Sequence, residues 1–307
     1  MSFKFSAQPH PIQRMHAQKV EHLNDFVAVE EPLEIRLRFV ENGIWEERSL
    51  SITMRTPGND VDLALGFLFT EGILQAGEWV EKIEERGDEN VIILTFSESK
   101  ILDWGQLQRH FYTTSSCGVC GKSSIDSVKA NCNIFNPNSP TAPPDGNQVE
   151  SLRVAIDKDH SVYTSDFLFA LDAEVQKSQE QFGLTGGIHA CALFRMPEAT
   201  QLNQAPQLIA IREDVGRHNA LDKLIGFLLQ EQQIPVTHQL LWLSGRCSFE
   251  MIQKAATAGI RTIAAVGAPT SLAIELADEL GITLVGFLKG NRCNVYTHPQ
   301  RILHTNH

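Results

Sequence analysis

Positive charge is scarce in this 307-residue chain: 26 lysines and arginines stand against 37 acidic residues, for a formal net charge of -11. A surface of that sign repels a phosphate backbone, so general nucleic-acid binding is not expected. Long apolar runs are missing as well. No stretch approaches the roughly 20 residues that a bilayer span requires. The opening segment, Met1-Ser2-Phe3-Lys4-Phe5-Ser6-Ala7-Gln8-Pro9-His10-Pro11, has no apolar core of the signal-peptide kind. Cysteine is sparse: six thiols, at positions 117, 120, 132, 191, 247 and 293, are scattered through a chain large enough to do without disulfide staples. These absences point to a reducing cytoplasm, with no membrane and no nucleic acid as partner. Neither Gly-x-x-x-x-Gly-Lys-Ser/Thr nor Gly-x-Gly-x-x-Gly occurs, which excludes a P-loop and the usual dinucleotide fingerprint.

Hydrophobic patterning divides what is there. Residues 1–24 are polar and aperiodic and read as a tail. Leu33, Ile35, Leu37 and Phe39 alternate with Glu34, Arg36 and Arg38, a strand with one wet face. Glu41-Asn42-Gly43 supplies a turn, and Leu50, Ile52 and Met54 alternate on the return strand, giving a β-hairpin. A helix through Leu63 to Phe69, a strand at Val91 to Phe96 and a helix around Leu102 to His110 complete a smaller α+β domain, residues 25–133. The Asn/Pro/Ser-rich stretch 134–150 cannot offset its ordering entropy by packing and reads as a linker loop. From residue 151 to 307 the pattern changes. A helix from Ser165 or Asp166 to near Gly183 is followed by strands at Ile188–Phe194 and Leu208–Ile211 and a helix at Val215–Leu229. A strand at Leu240–Leu243, a helix at Phe249–Ala258, a strand at Ile260–Val266, a helix at Ser271–Leu280 and a strand at Ile282–Leu288 then alternate. This order predicts an α/β domain built on a layered mixed sheet.

In such sheets ligands gather at the carboxyl ends of the strands. Those positions hold Arg212-Glu213-Asp214-Val215-Gly216-Arg217-His218-Asn219, Ser244-Gly245-Arg246-Cys247-Ser248, Gly267-Ala268-Pro269-Thr270-Ser271 and Lys289-Gly290-Asn291-Arg292. Each joins a glycine, which lets backbone N–H groups approach a ligand, to hydroxyls or cations. Arg212, Arg217, Arg246, Lys289 and Arg292 on one rim of an acidic protein suggest a phosphate or pyrophosphate. Thr185-Gly186-Gly187-Ile188-His189 adds backbone donors and an imidazole. Any one of these loops fits an ordinary helix entry; four in register favour a pocket. His189 also fits a hydrogen-bonded interior position, and His218 a first-turn position.

The other dense constellation is Ser115-Ser116-Cys117-Gly118-Val119-Cys120-Gly121-Lys122. Three chemistries suit it. Structural zinc wants a second ligand pair, and only Cys132 and His110 lie near. A dithiol redox couple wants the pair at a helix N-terminus. A persulfide carrier wants an accessible thiolate, which small polar neighbours and Lys122 favour. Packed or bystander roles suit Cys132, Cys191, Cys247 and Cys293 better.

Ser-Ser-Cys-Gly-Val-Cys-Gly-Lys, Thr-Gly-Gly-Ile-His-Ala, Arg-Glu-Asp-Val-Gly-Arg-His-Asn-Ala-Leu-Asp-Lys, Ser-Gly-Arg-Cys-Ser-Phe-Glu-Met and Gly-Asn-Arg-Cys-Asn-Val-Tyr-Thr-His-Pro follow one another in that order. Together they resemble the FdhD-type formate dehydrogenase accessory sulfurtransferases, over roughly residues 25–303. The resemblance implies a sulfurtransferase loaded by a cysteine desulfurase. Cys117 would carry the persulfide and Cys120 would assist. The acceptor it implies is the molybdenum cofactor in its bis-molybdopterin guanine dinucleotide form, destined for the formate dehydrogenase catalytic subunit. It implies cofactor contacts at Phe287, Leu288, Lys289, Gly290, Asn291 and Arg292. A guanosine-phosphate pocket is expected around Arg217, His218, Arg246 and His189. It further implies a cytidine-deaminase-like larger domain, a homodimer, and no resident metal. The deaminase zinc signature is absent, since no histidine is followed two places on by glutamate. A non-catalytic cofactor chaperone and a dithiol oxidoreductase are the competing readings. Cys191 replaces a small residue in the Gly-Gly-x-His segment, so the set of reacting thiols stays open.

Overall fold

The computed structural model describes residues 6–75, 80–100, 102, 104–105, 107, 162–198, 200–202 and 204–304. Cys117, Cys120, Lys122, Cys132, the helix read near 102–110 beyond its isolated described positions, and the 134–150 linker lie outside them.

The chain begins with an antiparallel pair, β1 (Ala7–His16) and β2 (Lys19–Ala28), where the sequence alone suggests a tail. Most side chains on both strands are exposed, so no apolar alternation marks them in the sequence. β3 (Glu31–Glu41) and β4 (Ile44–Arg55) form the expected hairpin, closed by Asn42 and Gly43, both at positive φ (51° and 78°) as a type I′ turn demands. Leu33, Ile35, Leu37 and Phe39 are buried as the alternation requires. The return strand differs from expectation. Register pairs Glu34 with Ile52 and Pro32 with Met54, which places both apolar side chains on the wet face, 66% and 48% exposed. A bulge between Ile35 and Arg36 separates that stretch from the remainder of the hairpin.

Helix α1 (Asp60–Thr70) covers the inner face of a four-stranded sheet ordered β4-β3-β6-β5, with β5 at Lys82–Arg86 and β6 at Val91–Thr95. β7 (Tyr163–Thr164) leads into α2 (Ser165–Ser178), capped by the Thr164 hydroxyl accepting from the Phe167 N–H at 3.2 Å. The single helix read to Gly183 is in fact two. α3 (Glu180–Thr185) restarts after Gln179 because Glu213 reaches across and accepts from the N–H groups of Gln181 and Phe182 at 3.1 and 3.0 Å. That cap is tertiary and invisible to local pattern.

The larger sheet runs β9-β8-β10-β11-β12-β13, from β8 (His189–Arg195), β9 (Gln207–Asp214), β10 (Gln239–Leu243), β11 (Thr262–Ala265), β12 (Thr283–Lys289) and β13 (Arg292–Thr297). β14 (Ile302–Leu303) pairs with β7. Helices α4 (Arg217–Gln230), α5 (Phe249–Thr257) and α6 (Ser271–Glu279) lie on one face, and α2 on the other. Side chains sort by strand parity. Leu241, Leu243, Ile263 and Ala265 face the three helices, whereas Leu240, Trp242 and Ala264 face Phe167, Leu168 and Leu171 of α2. The architecture is therefore a mixed α/β layered sheet with a second, smaller α+β sheet beside it.

Helix α1 joins the two halves by crossing α4 at Gly66 and Gly226. An added Cβ on either glycine would fall inside the backbone of the other helix. Arg212 extends the junction: its Nε lies 2.7 Å from Asp62 Oδ2, and its guanidinium stacks 4.3 Å over the Phe227 ring. The sequence places Arg212 on the ligand rim, and this pairing removes it to the interior junction.

Candidate functional site

Strand direction decides which loops share an edge. β10, β11 and β12 are mutually parallel. β9 runs with them, because β8 is antiparallel to both β9 and β10. The carboxyl ends of β9, β10, β11 and β12 thus meet on one edge, together with the start of β8 at His189 and the start of β13 at Arg292. The four loops singled out from sequence are side by side.

Backbone hydrogen bonds knit three of them together. Gly267 donates to Gly245 O at 3.0 Å, Phe287 donates to Gly267 O at 3.1 Å, and Cys247 donates to Ala268 O at 3.2 Å. The approach is too close for side chains: a Cβ on Gly267 would stand 2.8 Å from Arg246 N, and one on Gly286 2.8 Å from Pro269 Cδ. Phe287 sits at φ 53° within an irregular stretch of β12 and is 44% exposed. A non-glycine residue held in that region costs of order 1–3 kcal/mol, a cost that tends to be retained at ligand sites. Gly290 and Asn291 then close a two-residue turn into β13, where Lys289 pairs with Arg292.

The charged groups of this edge fall into two sets. Arg246, Lys289 and Arg292 are exposed and have no ion-pair partner among the described residues. Arg217 begins α4, and its Nε is buried without a hydrogen-bond partner among the described residues; Ser248 Oγ, at the N-cap of α5, is in the same state. His218 Nε2 lies 2.9 Å from Glu250 Oε2, close enough for an ion pair though off line for a hydrogen bond. His218 beside it holds the Glu250 carboxyl below the ordinary glutamate range. His189, partly buried, is pushed below the usual imidazole range by that burial first and then by the charges of Arg217 and His218. Leu288 is buried in the core beneath, so of the closing segment only its neighbours face outward.

Two residues that pattern reading passed over hold this edge in place. Asp214, fully buried, accepts from Gly216 N–H at 2.8 Å and Thr56 N–H at 3.1 Å, and pairs with Lys223 Nζ at 2.7 Å. Asn219 donates to Met54 O at 2.8 Å and to Asp214 Oδ1 at 3.2 Å. The run from Glu213 to Asn219 is therefore mixed in role. Glu213, Asp214 and Asn219 fasten it to neighbouring elements, and Arg217 and His218 are what it presents.

Of the described thiols none is poised to react. Cys191 and Cys247 are buried on the helix side of the sheet. Burial raises the Cys191 thiol well above its ordinary range and pushes Cys247 up to about 12. Cys293, half-buried, is raised for the same reason. Folded protein treated with iodoacetamide near pH 8 should leave Cys191 and Cys247 unmodified, and both should label in denaturant. Peptide mass mapping checks this, and labelling of either in the native state would contradict their burial.

Among the described residues no helix is long and apolar enough to cross a membrane. The family model described as "FdhD/NarQ family" matches residues 28–303. A relative from Sulfolobus acidocaldarius named sulfur carrier protein FdhD is 40% identical over 278 residues, covering 91% of each chain. Proteins of the same name from Streptomyces avermitilis and Mycobacterium tuberculosis are 41% and 39% identical, covering 91% and 95% of this chain and 89% and 96% of theirs. Among solved structures, a formate dehydrogenase accessory protein from Desulfotalea psychrophila superposes with a TM-score of 0.66 at 22% identity, over 97% of this chain and 99% of that one. At that identity the likeness is one of fold.

Proposed function

The chain belongs to the FdhD/NarQ family, and on that premise we propose that it is a sulfur carrier acting as a sulfurtransferase in formate dehydrogenase maturation. A cysteine desulfurase persulfide reacts with the Cys117 thiolate: the sulfane sulfur moves to Cys117 and the donor leaves as its own thiolate. Cys120 assists as the second thiol of the pair. The substrate that receives the sulfur is the molybdenum cofactor in its bis-molybdopterin guanine dinucleotide form, bound at the sheet edge by Arg217, His218, Arg246, His189 and the segment Phe287 to Arg292. The protein works in the cytoplasm as a homodimer, and the larger half is a cytidine-deaminase-like domain put to another use.

One observation carries this reading: cations and tightly approached backbone converge on one edge of a chain whose net charge is -11. Two groups there, Arg217 Nε and Ser248 Oγ, are buried without partners among the described residues. A buried polar group in that state costs about 1–3 kcal/mol, and a phosphoryl oxygen would satisfy Arg217 directly. The names of the relatives supply the sulfur. The raised, buried thiols of the larger half argue against sulfur residing there.

Incubation with a cysteine desulfurase and cysteine should add the mass of one sulfur atom to the intact protein, reversibly by dithiothreitol. Cys117→Ala should abolish the adduct, and Cys191→Ser and Cys247→Ser should keep it. An adduct that survives Cys117→Ala would overturn the assignment. So would full activation of formate dehydrogenase by that variant, which would favour a cofactor chaperone whose thiols are structural.

A further inference from the structure

His189 enters the edge with its two ring nitrogens in different surroundings. Nδ1 lies 3.3 Å from Ser244 Oγ, and the ring packs beside Gly245, where a Cβ would stand 3.2 Å from Cε1. Nε2 has no hydrogen-bond partner among the described residues. Ser244 itself is fixed twice to the residue after His189. Its backbone N–H donates to Ala190 O at 3.1 Å, and its Oγ accepts from Ala190 N–H at 2.9 Å.

A hydroxyl has one hydrogen to give. With Ser244 Oγ already accepting from Ala190, the acceptor within reach for its own hydrogen among the described residues is His189 Nδ1. An imidazole whose Nδ1 accepts must carry its proton on Nε2. We propose that Ser244 is a positioning residue that fixes His189 as the Nε2–H tautomer, so that a neutral imidazole donates a hydrogen bond to a phosphoryl oxygen at the sheet edge.

The surroundings favour the neutral ring. Arg217 and His218 of α4 face it with positive charge, against which Asp214 at the end of β9 is the opposing group, and Ser244 and Gly245 after β10 bring no charge. Burial adds to the same direction. Charge on the ligand is met by arginine and lysine, and the histidine contributes direction. Gly245 allows the ring to lie where it does, since any side chain there would meet the imidazole.

The identity of the ligand rests on the function proposed above; the tautomer does not, and the test separates the two. Long-range proton–nitrogen correlation on the 15N-labelled full chain should show His189 protonated at Nε2. Ser244→Ala should shift that population toward Nδ1–H and weaken guanosine diphosphate binding about 10- to 100-fold, the loss of one hydrogen bond to a charged group. Ser244→Thr, which keeps the hydroxyl, should restore both. His189→Gln places an amide donor near the former Nε2–H and should bind more tightly than His189→Asn. In the His189→Gln background, Ser244→Ala should have no further effect on affinity. An Nδ1–H tautomer in the unaltered protein, or a Ser244→Ala variant with unchanged tautomer, would overturn the proposal. If guanosine diphosphate fails to bind the unaltered protein, the ligand reading fails and the tautomer spectrum still decides the role of Ser244.

Discussion

Gly226→Ala should destabilise the protein by at least about 3 kcal/mol, at the upper end of what overpacking a core costs. In an ordinary helix the same change stabilises by about 1 kcal/mol, because alanine loses less backbone entropy than glycine. Here α4 crosses α1 with no room for a methyl group. The added Cβ would stand 2.6 Å from the Asp62 carbonyl carbon and 2.8 Å from Gly66 N, and Gly66→Ala would meet Asp222 and Gly226 in the same way. Both obstructing groups are backbone, so no rotamer change relieves the clash and the helices must separate. Separation would also break Arg212–Asp62 and the buried cluster in which Lys254 Nζ reaches Asp222 at 3.0 Å and Thr70 Oγ1 at 2.8 Å. Urea unfolding measures the loss. Gly183→Ala, in α3 with nothing within 4 Å of the added Cβ, is the control and should be neutral or slightly stabilising. A Gly226→Ala midpoint equal to that of the unaltered protein would show that the crossing is looser than drawn. Because α4 also carries Arg217 and His218, the variant should bind guanosine diphosphate less well wherever it remains folded.

That crossing marks a limit of what the sequence discloses. Most strands and helices of the larger half are legible because buried parallel strands are short apolar runs and two of the helices end on a glycine. Gly259 and Gly281 close α5 and α6 at φ 85° and 68°. The shared edge is legible for a related reason, since each of its loops carries a glycine together with a cation or a hydroxyl. What stays hidden depends on partners far along the chain. Gly66 and Gly226 read locally as weak points in helices, and their reason is another helix some 160 positions away. Arg212 looks like its neighbour Arg217, yet one pairs with Asp62 and the other keeps a buried Nε with no partner among the described residues. Glu213 looks like a rim carboxylate and is a cap for α3. The β1–β2 pair lacks the apolar alternation that would announce it, because neither face is covered enough to demand it.

Asp214→Ala should cost about 3–5 kcal/mol, the range for removing one partner of a buried ion pair. The carboxylate is the meeting point of three segments. It takes the Thr56 N–H from the loop before α1, the Gly216 N–H from its own loop, and the Asn219 amide and Lys223 ammonium from α4. Truncation strands an ammonium that is 1% exposed, and among the described residues Lys223 retains the carbonyl oxygens of Thr56 and Glu213, at 2.8 and 3.4 Å. Asp214→Asn should recover little, because whichever atom of the amide faces Lys223, one of the N–H donors then meets an amide NH2 group. Lys223→Met removes the stranded charge, so Asp214→Ala/Lys223→Met should cost less than the sum of the single changes, with a coupling of about 1–3 kcal/mol. Strict additivity would mean that the two groups do not act as a pair. The functional consequence follows from position. Residues 214–218 end β9 and begin α4, and with their anchor gone Arg217 and His218 lose the geometry that aims them at the edge. Guanosine diphosphate affinity should therefore fall in Asp214→Ala even at temperatures where circular dichroism shows it folded, and Arg217→Ala should add little in that background. A folded Asp214→Ala that binds as tightly as the unaltered chain would place the anchor of the site elsewhere.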